Sequence, residues 1–336
     1  MASATKMNET YIHPDIHTEF GIALASFQRA AEQIVDPFKQ IVEMCKPPQL
    51  IYHYTDDAGL KGIIESGKLR LSDIFSLNDP SELRHGLSFA EKILNSKAEN
   101  GSTETKTFAK VFANFRQDGV LENNDYFICS FSSDGNDLGQ WRAYADNGRG
   151  YSLGFDAERL IDIFKKEACV HRGFAHTFPV IYDDAILVDT HQKIIESVFP
   201  QILPYNKSLD TNDIRNLEIK YYLRDLSINF SLYTLDTALY FKDKAYENEK
   251  EFRFLQEFNN TLVPDVQKRC RSYEFVRYRE FDWRSSQPSV LKHVVVGPAA
   301  DKHKATRFVK DCLNAFHAED AEKVEITSSE IPYRAV

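Results

Sequence analysis

The sequence predicts an α+β fold with a helical extension at its N-terminal end. Two observations lead to this prediction. Apolar residues recur at helical spacing through residues 15–46, and from residue 49 onward stretches with the period of a strand mix with helical stretches. Strands interspersed with helices are typical of α+β domains. We therefore expect a helical appendage over 1–48 and one α+β domain over 49–336, with a helical insertion at about 184–243.

Composition narrows the classes of function. The chain has 336 residues, of which 43% are hydrophobic and 27% are charged, as in ordinary globular proteins. The sequence contains no apolar run long enough to span a bilayer and no secretory signal, so neither a membrane partner nor export is expected. The net charge of −9 argues against a general nucleic-acid-binding surface but leaves a local basic cleft open. Five scattered cysteines predict reduced thiols in the cytoplasm.

The helix predicted over 15–46 ends before Pro47, since proline cannot continue a helix. Its amphipathic pattern offers a surface for contact with a partner. The next element is a strand over 50–55, in which Tyr52 and Tyr54 share one face while His53 and Thr55 share the other. A core strand with an imidazole and a hydroxyl on the same side has two interpretations. Either the two groups satisfy each other inside the protein, or they point into a pocket.

A short helix, a short strand and a second helix follow. Asp56 or Asp57 can cap the first helix, which should stop at Gly67. The stretch LNDPSE at 77–82 is typical of a helix start, with Asp79 as the N-cap and proline at the first helical position. This structural role explains Asp79, and turn chemistry would accept Asn78. Alternatively, both side chains could form the rim of a pocket.

The stretch from 125 to 156 predicts a strand, a helix and a second strand. Ser130 and Ser132 share one face of the first strand, and Trp141 and Tyr144 lie three residues apart on one face of the helix. Turn hydroxyls and two core aromatic residues would explain the pattern. A hydroxyl-lined strand end with an aromatic wall around a flat polar ligand would explain it as well.

The segment YENEKEFRFL at 246–255 is the strongest local signal. As a strand it places Glu249, Glu251 and Arg253 on one face and two phenylalanines on the other. Carboxylates that share a face repel one another unless solvent or cations compensate, so this face can line a polar cleft. Two other interpretations are a helix with Glu249 and Arg253 as a surface pair and a strand face open to solvent. The histidines lack the spacing of a metal site, so we expect no metal.

Several motifs, taken in order, are similar to the bacterial domain-of-unknown-function family 2971. The resemblance covers nearly all of residues 50–336. The motifs are YHYT at 52–55, LNDPSE at 77–82, ICSFS at 128–132, GYSLGFD at 150–156, KAYENEKEFR at 244–253, VVVGP at 294–298 and SSEIPYR at 328–334.

This resemblance implies an ADP-ribosyltransferase-like fold, a split mixed sheet with flanking helices that binds NAD. It implies that His53 contacts a ribose hydroxyl, that the backbone of Tyr54 holds the nicotinamide amide, and that Thr55 completes the motif. Tyr144 would stack on nicotinamide with Trp141 beside it. The chain departs from the superfamily at Tyr54, which replaces the usual glycine.

The expected function is therefore that of an NAD-dependent ADP-ribosyltransferase or NAD glycohydrolase, in the role of a bacterial toxin or phage-defence effector. Glu251 is the candidate catalytic carboxylate, Glu249 would orient a protein or nucleic-acid acceptor, and Arg253 would hold the carboxylates in place. Two other hypotheses stay open. One is a module that senses a nucleotide or binds a partner without turnover, and the other is a metal-dependent nuclease or phosphotransferase.

Overall fold

The computed structural model describes residues 18–335 except 77–79, 118–124, 171–172, 203–213, 259–262, 264, 272 and 285–288. The α-helices are α1 (Glu19–Glu43), α2 (Asp57–Ser66), α3 (Pro80–Glu99), α4 (Thr103–Gln117), α5 (Leu138–Tyr144), α6 (Ala157–Val170), α7 (Asp184–Val198), α8 (Ile214–Ala238) and α9 (Lys302–Phe316). The strands are β1 (Leu50–Thr55), β2 (Lys68–Asp73), β3 (Asp125–Ser132), β4 (Tyr151–Asp156), β5 (Phe174–Pro179), β6 (Glu251–Phe258), β7 (Gln267–Arg271), β8 (Glu274–Asp282), β9 (Leu291–Val296) and β10 (Glu325–Ser328). The predicted α+β class is confirmed. Within the described residues, no helix combines the length and the apolar character needed to cross a membrane.

The chain divides into two compact units. One comprises residues 1–36, 88–121 and 188–236, and its described core is helical, with Phe27, Phe108, Leu226 and Phe230 fully buried. The other comprises residues 37–87, 122–187 and 237–336 and carries the sheet. The predicted domain limits at 48 and at 184–243, and the predicted partner contact through 15–46, stay predictions.

The sheet of the second unit is mixed and forked. Its strands follow the order β10-β9-β4-β1-β3-β2-β8-β7, with β9 and β10 parallel. Strand β6 pairs with β3 along its full length, from Asp125 to Ser132. Both β1 and β2 must therefore share the other edge of β3, where β1 pairs at Ser132 and β2 pairs at Ile128. The sheet opens between β1 and β2, and we call this opening the fork.

One face of the sheet carries the main hydrophobic core. Alternate residues of the strands, among them Ile51, Phe131 and Phe254, are buried there against α2, α6 and α9. The opposite face of the central strands carries polar side chains at the intervening positions, including Ser130 and Arg253, which are paired in register. The alternation of apolar and polar residues along the strands thus separates the core face from the face that carries polar chemistry.

Local sequence signals explain the short helix that follows β1. The side chain of Asp56 accepts a hydrogen bond from the amide of Gly59 and caps the N-terminus of α2. Gly67 ends the helix with φ of 68°, a left-handed conformation that glycine adopts without a steric cost. The predictions of both helix ends are confirmed.

The strand predicted over 246–255 is wrong in its first half. Residues 244–249 form a 3₁₀ helix, and β6 begins only at Glu251. Lys250 separates the two elements with φ of 46°, a left-handed value that is uncommon for a residue other than glycine. Glu249 and Glu251 therefore come from a turn and a strand, not from one strand face. The alternative of a continuous helix is wrong as well, because Arg253 is buried within β6.

Candidate active site

A pocket of about 240 Å³ opens at the fork of the sheet. Strands β1 and β2 provide its sides, β3 and β6 provide its polar floor, and α5 and the 3₁₀ helix over 244–249 contribute further lining residues. The lining residues are Tyr52, His53, Tyr54, Arg70, Ser72, Ile128, Cys129, Ser130, Phe131, Ser132, Gln140, Tyr144, Lys242, Tyr246, Glu249, Glu251 and Arg253. The topology thus brings residues from distant parts of the chain into a single concave site, as is typical of ligand pockets.

Two acids and two cations at the base of this pocket form what we call the pocket network, namely Lys242, Glu249, Glu251 and Arg253. The Lys242 ammonium lies 2.6 Å from Glu249 Oε2 and 3.0 Å from Glu251 Oε2, and it bridges the two carboxylates. Arg253 donates from Nε to Glu251 Oε1 at 2.8 Å and from Nη2 to Glu251 Oε2 at 3.2 Å. The formal charges of the four side chains cancel.

The two glutamates differ in their remaining capacity to accept hydrogen bonds. Glu251 is 6% exposed and accepts four, because Ser130 Oγ donates to its Oε1 at 2.6 Å in addition to the three donors of Lys242 and Arg253. Four donors saturate a carboxylate. Glu249 is 17% exposed on its side chain, and from the described residues its Oε1 accepts only a long contact of 3.4 Å, which the Tyr144 hydroxyl donates. Glu249 is therefore the carboxylate with free lone pairs toward the pocket.

Burial and neighbouring charges shift the pKa values of three members of the pocket network. Burial raises the pKa of Glu251, although Lys242 and Ser130 partly oppose this effect. Burial alone would lower the pKa of Lys242, but Glu251 and Glu249 outweigh it and raise that pKa. Burial lowers the pKa of Arg253 to about 9. Shifted groups that converge on a cleft are typical of functional sites.

The predicted pair His53 and Thr55 is separated by the structure. His53 lines the pocket, and its Nδ1 donates to the carbonyl of Ser130 at 3.2 Å, so the imidazole fills part of the fork. Burial lowers the pKa of His53, which favours the neutral ring. Thr55 lies away from the pocket against α2, where a Cβ built on Gly59 would lie 1.8 Å from its hydroxyl. The interpretation that the two groups satisfy each other is wrong.

The predicted aromatic wall is also divided. Tyr144 is 43% exposed and lines the pocket, and burial of its phenol together with the charge of Glu249 raises the pKa of the phenol to about 12. Trp141 is fully buried beneath Tyr54, with ring centroids 4.9 Å apart, and its indole donates to Asn136. Tyr54 donates to the carbonyl of Asp134 at 2.7 Å. Trp141 is therefore a core residue that supports the pocket wall.

Ser132 and Lys250 hold the turn that presents the two glutamates. Ser132 lines the pocket but is buried, and its hydroxyl donates to the carbonyl of Glu249 at 2.7 Å. The Lys250 ammonium forms an ion pair with Asp134, with Nζ 2.9 Å from Oδ2. These contacts fix a left-handed turn between Glu249 and Glu251, and such strained positions concentrate at functional sites.

Two predicted residues, Asn78 and Asp79, lie outside the described residues. Sequence reasoning missed Lys242, Arg70 and Gln140, which the structure places in the pocket. The repulsion among the acids of 246–255 required a cation, and this was a signal for Lys242. In the described part of the chain, no group of three or more His, Cys, Asp or Glu side chains is arranged to hold a metal ion.

Residues 140–254 match the model of a family described as a protein of unknown function, DUF2971. This segment is similar to the DUF2971 family. The predicted resemblance is thereby confirmed for these residues. The DUF2971 segment contains Tyr144 and all four members of the pocket network, whereas β1, β2 and β3 precede it. No curated protein and no solved structure matches the chain.

Proposed function

We propose that the pocket binds NAD and that the protein is an NAD-dependent ADP-ribosyltransferase or NAD glycohydrolase. The observation that supports this proposal is the position of Glu249. Its carboxylate has lone pairs free to accept hydrogen bonds, and it lines the pocket beside the exposed ring of Tyr144. A forked mixed sheet, as an ADP-ribosyltransferase-like fold would have, supports the proposal. A role as a bacterial toxin or phage-defence effector stays a prediction.

The chemistry suits these groups. Cleavage of the bond between nicotinamide and ribose passes through an oxocarbenium-like transition state, as glycoside hydrolysis does. A fixed carboxylate at that position stabilises the developing positive charge. Tyr144 provides a flat surface for the nicotinamide ring, and neutral His53 at the fork can bond to a ribose hydroxyl. The pocket volume of about 240 Å³ lies below the range of about 300–1,000 Å³ for ligand sites, so part of the dinucleotide would extend beyond it.

We further propose that Glu249 contacts the ribose and that Glu251 positions Lys242 and Arg253. Glu251 has no free lone pair for a ribose hydroxyl unless one of its four donors leaves. The sequence predicted the opposite division of roles, with Glu251 as the catalytic carboxylate. Both assignments make distinct predictions for single substitutions.

The test is the release of nicotinamide from NAD by the purified full chain. Glu249→Gln should lower kcat by about 10²-fold, the loss typical of one electrostatic contact to a transition state. It should lower the free energy of unfolding less than Glu251→Gln does, because Glu249 is the more exposed of the two partners of Lys242. Glu251→Gln should lower both turnover and stability, because it weakens a buried ion pair. Glu247→Gln is the matched control, since Glu247 is exposed in the same 3₁₀ helix. Full turnover by Glu249→Gln together with a folded, inactive Glu251→Gln would restore the opposite assignment.

A nucleotide sensor is the second candidate, and the pocket network favours it in one respect. Its charges cancel and most of its hydrogen bonds are internal, so the site is stable without a reacting substrate. Calorimetry separates the candidates. Binding of NAD without release of nicotinamide would indicate a sensor, and absence of both binding and release would reject NAD as the ligand.

A further inference from the structure

A row of three arginines crosses the sheet beside the pocket. Arg70 on β2 lies opposite Glu280 on β8, and Arg269 and Arg271 on β7 lie opposite Val276 and Glu274. Directly paired residues of neighbouring strands share one face of a sheet. Arg70, Arg269 and Arg271, which we call the arginine row, therefore lie on the same face as Ser72. Because Arg70 and Ser72 line the pocket, the row leads from the pocket to the tip of the β7–β8 hairpin.

No carboxylate of the described residues pairs with Arg269, the central arginine of the row. Its Nε is buried and has no hydrogen-bond partner. Burial lowers the pKa of Arg269, and the positive charges of Arg70 and Arg271 lower it further. Repulsion among cations costs free energy, which a bound anion would recover.

Each of the two flanking arginines lies beside a carboxylate. Arg70 lies 3.5 Å from Glu280, which also lies 3.5 Å from Lys68, and the Arg70 guanidinium stacks over the ring of Tyr278 at 4.9 Å. Arg271 pairs with Glu274 at the hairpin tip, with Nε 3.0 Å from Oε1. Asp282, opposite Lys68, is the third carboxylate that β8 places on this face. The described residues of β2, β7 and β8 thus place four cations and three carboxylates on this face, in a chain whose net charge is −9.

The hairpin tip also exposes an aromatic ring. Tyr273 is fully exposed, with φ of 73°, a left-handed conformation in which glycine is the usual residue. Basic residues on an edge strand also prevent unwanted strand pairing, which explains exposed Lys268. That role does not require arginines grouped on the pocket side or an exposed tyrosine beside them. Sites that bind single-stranded nucleic acid combine two parts. One is a line of cations along the phosphate backbone, and the other is an aromatic side chain that stacks on a base.

We propose that the arginine row and Tyr273 bind single-stranded nucleic acid and direct it toward the pocket. This inference rests on the proposed function and deepens it by naming the class of acceptor. A ring nitrogen or hydroxyl of the strand would form a bond to the ribose C1′ of NAD. Nicotinamide would leave with the electron pair of the broken bond between its ring nitrogen and C1′, and the acceptor would release its proton to solvent.

The test is fluorescence anisotropy of a labelled single-stranded oligonucleotide of about 12 nucleotides, as DNA and as RNA, with the full chain and without NAD. The wild-type chain should bind, and its affinity should fall with rising salt, with a slope of about −0.7 for each neutralised phosphate. Arg269→Gln should weaken binding about tenfold and reduce that slope. Tyr273→Ala should weaken binding about tenfold with the slope unchanged. Arg307→Gln, an exposed arginine on α9, should bind as the wild type does.

Absence of binding by the wild type at low salt would overturn the proposal, and so would equal losses in Arg269→Gln and Arg307→Gln. Equal displacement of the oligonucleotide by polyglutamate would indicate a site for acidic peptides instead. If Arg269→Gln weakens the binding of NAD but not of the oligonucleotide, the arginine row binds the diphosphate of NAD and the proposal is wrong. Because binding is measured without NAD, the result does not depend on whether NAD is cleaved.

Discussion

Strand β6 carries a charged network near each of its ends, and the two networks are built differently. Near Glu251 lies the pocket network. Near Glu257, six residues along the same face, lies a second group that we call the anchor network, namely Glu43, His176, Tyr240 and Glu257. His176 Nδ1 lies 2.8 Å from Glu43 Oε1 and His176 Nε2 lies 3.6 Å from Glu257 Oε2. Tyr240 donates to the same Glu43 oxygen at 2.6 Å.

The anchor network uses a titratable cation where the pocket network uses arginine and lysine. Burial alone would lower the pKa of His176, but Glu257 and Glu43 outweigh it and raise that pKa to about 9. Its contacts join the C-terminal end of α1 to β5 and β6 of the same unit. In the pocket network, Glu249 Oε1 keeps lone pairs that are free to accept a hydrogen bond from a molecule in the pocket. Buried charges alone therefore do not identify a functional site. A partly buried carboxylate that faces a pocket with free lone pairs does.

The largest expected effect comes from breaking the pocket network at its most buried member. Arg253→Met removes two hydrogen bonds from Glu251 and leaves that carboxylate with incomplete compensation. We expect the free energy of unfolding in urea to fall by about 3–5 kcal/mol. Arg307→Met is the control, since its pair with Asp311 is exposed and should be worth less than about 1 kcal/mol. A loss as small as the control's would mean that Glu251 does not depend on Arg253.

The second effect is a pH dependence that belongs to the anchor network. The pKa of His176 is higher in the folded state, at about 9, than its ordinary value of 6.5, so folding binds a proton. This stabilisation is fully present below pH 6.5 and is lost as the pH rises to about 9. We expect the free energy of unfolding to fall by up to about 3 kcal/mol across that range. His176→Gln should remove this dependence, and an unchanged pH profile in that variant would contradict the assignment.

The third effect isolates the contribution of the Tyr240 hydroxyl from the packing of the Tyr240 ring. Tyr240→Phe removes the hydrogen bond to Glu43 but keeps the ring that stacks on Phe178, with centroids 3.9 Å apart. We expect a loss of about 1.5–3 kcal/mol in the free energy of unfolding at neutral pH, because the acceptor is charged. Tyr233→Phe is a comparison from the other unit, where the contacts of the hydroxyl with the carbonyl of Gln28 and with Glu32 are longer, at 3.5 Å each. If both variants lose equally, the short bond to Glu43 has no special weight.

The smallest effect on stability is expected at the pocket wall. Tyr144 is 43% exposed, so Tyr144→Ala should change the free energy of unfolding by less than about 0.5 kcal/mol. The same variant should weaken NAD binding about tenfold, because stacking of an aromatic ring on a base is worth about 1–3 kcal/mol. Calorimetry measures the affinity, and Tyr144→Phe should bind nearly as well as the wild type. Weaker binding in Tyr144→Phe than in Tyr144→Ala would exclude stacking as the cause.

Local patterns in the sequence predict local structure well here. The caps of α2 at Asp56 and Gly67 and the strand over 50–55 follow from side-chain chemistry within a few residues. The turn at Lys250 could not be predicted, because alternating charges imitate a strand and lysine carries no signal for a left-handed backbone.

Contacts between distant residues were harder to predict. The fork depends on pairing between strands that lie far apart in the chain, and the arginine row needs β7 and β8 beside β2. Lys242 was missed because nothing local distinguishes it from Lys244 or Lys250. His53, Tyr144, Glu249 and Glu251, which the resemblance placed at one NAD site, nevertheless line the same pocket in the structure.

A crystal structure of the full chain with NAD tests the central proposal most directly. We predict the nicotinamide ring in the fork beside Tyr144, with a ribose hydroxyl within hydrogen-bond distance of Glu249 and with the diphosphate directed out of the pocket. NAD bound at another surface, or a ribose that contacts neither Glu249 nor Glu251, would contradict the proposed chemistry.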